Sequence, residues 1–127
     1  MAEEITLMKP EIRAAVAYIA GRSVNKSNAS SIYAYDFGRY LMFAGDVSPQ
    51  NVNVYDYGMK CHITGSGNGQ QVSLYHHGAG KHIQLSFQKN QFTGYDYDSG
   101  CHFQGTVNGT SVSLYDYEGG RFHNYTI

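Results

Sequence analysis

Residues 51–70 read NVNVYDYGMKCHITGSGNGQ. Val52 and Val54 alternate with polar residues up to Tyr55-Asp56-Tyr57. A glycine-bearing turn follows, and a second alternating run through Ile63 ends at Asn68-Gly69. Period-two alternation marks a strand with one apolar face. An Asn-Gly pair is the preferred two-residue hairpin turn, because its central positions need positive φ. The stretch therefore predicts one β-hairpin and the turn into the next.

Tyr35, Tyr55, Tyr75, Tyr95 and Tyr115 are spaced by twenty residues each. The blocks SIYAYDFGRYLMFAGDVSPQ, NVNVYDYGMKCHITGSGNGQ, QVSLYHHGAGKHIQLSFQKN, QFTGYDYDSGCHFQGTVNGT and SVSLYDYEGGRFHNYTI align without a gap. Periodicity of this length is read before any other signal. It predicts about ten short strands. Turns fall at Asn68-Gly69 and Asn108-Gly109, and near Ser99-Gly100 and Gly119-Gly120. Gly38 and Gly58 take the strained turn position in the first two copies.

Parity across these turns assigns the faces. One face holds aliphatic residues such as Val54, Ile63, Leu74, Ile83 and Leu114. The other holds the Tyr column, a second column of Phe37, Tyr57, His77, Tyr97 and Tyr117, and then His62, His82, His102, Gln84 and Gln104. A one-residue slip would invert every strand, so register is well specified.

Residues 1–30 differ. Pro10 suits a helix start, and Glu11 to Ala20 reads as a helix ended by Gly21. Arg22 to Ser31 reads as a polar linker. The helix is apolar nearly all round, which is the pattern of a buried helix, and Ile12, Val16 and Ile19 would dock on the aliphatic sheet face. The expected fold is mainly β: one antiparallel meander of about ten strands, curled into a barrel or half-barrel, with the N-terminal helix on its aliphatic face. Residues 1–127 form one domain, with the helix and linker in 1–30 and five hairpins in 31–127. A β-trefoil would need six hairpins, and a solenoid conflicts with the Asn-Gly turns.

The chain has 127 residues and a formal net charge of −1. Binding to nucleic acid or an anionic membrane needs a basic excess, so neither is expected. No apolar stretch approaches the ~20 residues of a membrane span, and the acidic N-terminal flank is wrong for a signal peptide. The expected location is the cytoplasm. Cys61 and Cys101 lie two copies apart, about 19 Å by strand spacing. A disulfide needs Cα atoms within ~7 Å, so both are expected to remain thiols.

Asp36, Asp56, Asp96 and Asp116 each follow a Tyr just before a turn, where a carboxylate accepts hydrogen bonds from turn N–H groups. A calcium site would need more converging oxygens than one turn supplies. His77 and His82, expected to face each other across a turn, are the candidate metal pair for Zn or Cu, without a visible third ligand. No nucleophile elbow, Walker loop, dinucleotide fingerprint or HExxH occurs, and no cofactor is implied. The Tyr-rich face supplies the candidate ligand-binding residues Tyr55, Tyr75, Tyr95, Tyr115, Gln84 and Gln104, because Tyr rings beside amides can stack on a sugar or grip a peptide.

The pieces IYAYDFGRY and VYDYGMK, with a glycine near every twentieth residue, resemble the YD-type repeats of Rhs proteins. That resemblance covers residues 31–127 and implies a structural β-repeat, since such repeats build strand spirals that wrap a cargo. Gly-Arg follows Tyr-Asp in the first copy alone. The whole chain also resembles small uncharacterised bacterial proteins, which implies no activity. The expected function is a non-catalytic structural or protein-interaction module. The alternatives are a carbohydrate- or peptide-binding protein using the Tyr face, and a small enzyme with a site at a rim. The partner is then a protein or a small ligand, with self-association open.

Overall fold

The computed structural model describes residues 7–48 and 50–127; residues 1–6 of the N-terminal segment, and Pro49, lie outside the described residues. One helix, α1 (Pro10–Asn25), precedes ten strands: β1 (Ser31–Ala34), β2 (Arg39–Val47), β3 (Asn51–Asp56), β4 (Cys61–Gly67), β5 (Gln71–His76), β6 (Lys81–Gln88), β7 (Gln91–Asp96), β8 (Cys101–Asn108), β9 (Ser111–Asp116) and β10 (Arg121–Thr126). Each strand pairs antiparallel with its neighbour in sequence. β1 pairs with β10 and closes the barrel. Closure removes both sheet edges.

Inside the barrel lies α1. Every residue from Ile12 to Ser23 is buried, and the inward-facing Val54, Ile63, Leu74, Ile83 and Leu114 surround it. Full burial of an Ile or Val side chain is worth roughly 1.5–3 kcal/mol. The helix runs past Gly21 and ends at Lys26, which adopts the left-handed conformation with φ 52°. Gly21 is therefore not a stop signal. A Cβ there would meet Ile127 and Val112, so the glycine lets helix and wall approach closely. The residues expected to begin a linker, Arg22 to Asn25, are the last turn of α1.

Room beside the helix is rationed by cross-strand pairs. Gly45 faces Val54, Gly65 faces Leu74, Gly94 faces Leu85, and Gly105 faces Leu114. At the closing seam, Ala34 faces Tyr125. Each pair sets one small residue against one large one. A Cβ on any of the four glycines would fall inside contact distance of a neighbouring strand's carbonyl oxygen. Without a side chain at these positions the neighbouring backbone can approach closely.

The turns lie a little off their expected places. At one end the loops are residues 57–60, 77–80, 97–100 and 117–120. Their last position is left-handed in Lys60, Gly80, Gly100 and Gly120. Gly58 does not take that position, whereas Gly38 does, with φ 64°. At the other end Asn68 and Asn108 close the strands, pairing with Gln71 and Ser111. Gly69 and Gly109 then come first in the loop with positive φ, and no residue after them shares it. That pattern belongs to a type II′ turn rather than type I′. These shifts move pairing sums by two, so the faces are unchanged.

The first hairpin departs from the gapless alignment. Tyr33 faces Tyr40 as Tyr55 faces His62. The loop at 35–38 thus precedes the loop at 57–60 by 22 residues. Tyr33, not Tyr35, is the counterpart of Tyr55, and Asp36 falls within the loop instead of ending a strand. The surplus of two residues again preserves parity.

Candidate functional site

The outer surface carries the aromatic side chains. Tyr55, Tyr75, Tyr95 and Tyr115 are each half-buried. Each stands at the centre of an edge-to-face cluster: Tyr55 touches Tyr57 and His62, Tyr75 touches His77 and His82, and Tyr95 touches Tyr97 and His102. Tyr115 lies between Tyr117 and Phe122, and Tyr33 between Tyr35 and Tyr40. Centroid separations of 4.7–5.2 Å suit the ring quadrupoles. These clusters girdle the barrel at the end where the four-residue loops lie. The proposed binding tyrosines are therefore spread around the wall, not gathered into one site.

The two glutamines are brought to two of these tyrosines. Gln84 pairs in register with Tyr95, and Gln104 with Tyr115. The Gln84 amide donates to Ser73 Oγ at 3.1 Å. The corresponding neighbour of Tyr75 is Thr64, and that of Tyr55 is Ala44. His77 and His82 do not face each other across a turn: His82 pairs with Tyr75, while His77 opens the loop and bonds Thr64 Oγ1 through Nε2 at 3.0 Å. Among the described residues no group of three or more His, Cys, Asp or Glu is placed to hold a metal ion.

Three aspartates act on their own loops. Asp56 accepts from the N–H groups of Gly58 and Met59, Asp96 from Asp98 N–H and the Ser99 hydroxyl, and Asp116 from Glu118 and Gly119. His76 stands where the other hairpins have Asp, and its Nδ1 accepts from Ala79 N–H at 3.0 Å. Burial raises the Asp56 carboxyl above its ordinary range, against the pull of those N–H donors and of His76.

Asp36 works differently. It accepts from Arg13 of α1 at 3.2 Å and bonds His123 Nδ1 of β10. Burial alone would raise its carboxyl, but the hydrogen bonds and charges of His123 and Arg13 together hold it low. Arg13 also donates to the Met8 carbonyl at 2.8 Å. The cluster ties helix, first loop and last strand together at the seam. Sequence reading missed it, and a signal was available: a basic residue in an otherwise apolar buried helix needs an anionic partner. At the opposite end the buried Arg22 donates to Ser27, Tyr18 and the Gly45 carbonyl.

Cys61 Sγ lies 3.9 Å from both His76 ring nitrogens. Burial pushes the thiol up and the imidazole down. Both are driven toward their neutral forms, which is the reverse of an activated Cys–His pair. No disulfide links Cys61 and Cys101, and no helix among the described residues is long and apolar enough to cross a membrane. Compared with known proteins, the chain matches no family model, no curated protein and no solved structure.

Proposed function

We propose that this protein is a non-catalytic module that binds through the outer aromatic surface of its barrel. One observation carries the reading: α1 fills the interior, while aromatic rings stand outside at one end, with Tyr35, Tyr40, Tyr57, Tyr97, Tyr117 and Phe122 all more than half exposed. Exposed Tyr rings, apolar in body and polar at the tip, are enriched where proteins meet their partners. The buried titratable groups have structural partners: Asp56, Asp96 and Asp116 serve loops, and His123 serves the seam. The YD-type resemblance supports the same reading, since those repeats are structural. Cys61 and Cys101, which form no disulfide, are in keeping with the reducing cytoplasm.

Fluorotyrosine labelling tests the reading on the full chain. The ¹⁹F spectrum is recorded in buffer and in clarified extract of the host. Resonances of Tyr57, Tyr97 and Tyr117 should shift or broaden in extract, while the buried Tyr18 stays unchanged. Rim resonances identical in both media would overturn the proposal.

A further inference from the structure

We propose that the outer groove over β7 and β8 binds a neutral oligosaccharide, an inference that rests on the binding-module reading above and names its ligand.

Three adjacent hollows meet at Thr93. The first, about 550 Å³, is lined by Gln84, Thr93, Tyr95, His102 and Tyr117 above the Phe103 ring. A second, of about 310 Å³, adds Gln104, Thr106 and Phe122, and a third adds Ser86 and Gln88 beside Gln91. The first has the size of an ordinary ligand site. From Tyr95 to Gln91 the groove follows β7 for about 13 Å at the strand rise of ~3.3 Å per residue. That is longer than one sugar ring.

The groove has a structural cause. Of the five hairpins, only β7–β8 has a glycine in each strand. Gly94 faces Phe103 and Gly105 faces Phe92, and each ring occupies the space that a Cβ on the opposite glycine would take. Where other hairpins place Val or Leu, the wall here is backbone with aromatic rings behind it.

The lining decides the ligand class. Across all three hollows there are amides, hydroxyls and aromatic rings, and no Asp, Glu, Lys or Arg. An ionic ligand would leave its charge unpaired, which is costly. An extended peptide gains most from adding to a free strand edge, but β7 and β8 are hydrogen-bonded on both sides and the barrel has no edge. A neutral sugar chain needs what is present: rings against its C–H faces, and donors and acceptors for its hydroxyls.

The test is an ¹H–¹⁵N titration of the full chain with cellotetraose, chitotetraose and mannotetraose, beside tetragalacturonate and a proline-rich decapeptide. At least one neutral tetrasaccharide should shift the amides of Thr93, Tyr95 and Gln104. Tyr117→Ala and Thr93→Arg, both at exposed positions, should each weaken that binding about tenfold or more, and Tyr57→Ala on the far hairpin should not. Preferential binding of tetragalacturonate or of the peptide would overturn the proposal. So would silence of all three neutral sugars up to about 10 mM, or shifts confined to other hairpins. If the sugars are silent while the rim fluorotyrosines still respond to host extract, the oligosaccharide assignment falls and the binding module stands. Silence in both experiments removes both.

Discussion

Asp36 and Asp116 occupy matching places in the twenty-residue period, yet do opposite work. Asp116 is buried and caps its own loop. Asp36 gives its loop nothing, and holds Arg13 and His123 instead. The difference follows from where each hairpin sits. Between β3 and β9, every strand is flanked on both sides by five or six residue pairs. The seam between β1 and β10 has only two. A weak backbone seam is supplemented by side-chain charge, and the same residue type is a local turn element in one region and a long-range clasp in the other.

The helix supports both regions, so the largest effect should come from breaking it. Val16→Asp puts an unpaired charge at a position with no exposure. Since a domain's whole stability is about 5–15 kcal/mol and an unpaired buried charge costs several, the variant should be insoluble or unfolded. A soluble, cooperatively melting product would show that the wall covers its own apolar face.

The paired variants Asp36→Ala and Asp116→Ala test the contrast directly. Loss of Asp36 leaves the buried Arg13 without its anion and His123 Nδ1 without its hydrogen-bond partner. Because Asp36 itself is partly exposed, the cost in chemical denaturation should be roughly 2 kcal/mol. Loss of Asp116 removes two loop hydrogen bonds and should cost about 1 kcal/mol. Equal costs would mean that the seam cluster is no stronger than an ordinary loop cap.

A smaller effect has opposite signs in the two regions. Asp36 titrates below its unfolded value, so its contribution is present at neutral pH and is lost as pH falls through about 4 and below. Asp56 titrates above its unfolded value, so its contribution falls as pH rises from about 4 toward neutrality. In thermal melts from pH 3 to 7, Asp36→Asn should reduce the stability that the chain gains on raising the pH, and Asp56→Asn should increase it. Shifts of the same sign in both variants would break the comparison.

The alternation of Val52, Val54 and Ile63 against Tyr55 and His62 was legible because side-chain direction is a local property of the strand. Misplaced turns and the two-residue surplus in the first hairpin did not matter, because even shifts preserve the face. Parity likewise put Gln84 and Gln104 on the Tyr face, but the cross-strand partners Tyr95 and Tyr115 came only with the observed turns. The apolar helix was legible too, from composition alone. The role of Asp36 was not: its match to Asp56 in the alignment concealed a different place in the loop. Nor was the extension of α1 through Gly21, since a glycine that ends a helix and one that admits a neighbouring strand look alike in one dimension.

Full closure rather than a half-barrel, the glycine-against-aliphatic pairs, the Arg13–Asp36–His123 cluster and the β7–β8 groove were decided by the tertiary structure alone. Each depends on how much space remains when ten strands meet around one helix. That is a sum over the whole chain, and no local pattern carries it. The period and the two faces came from the amino-acid sequence itself, because hydrophobic alternation and turn chemistry act within a few residues.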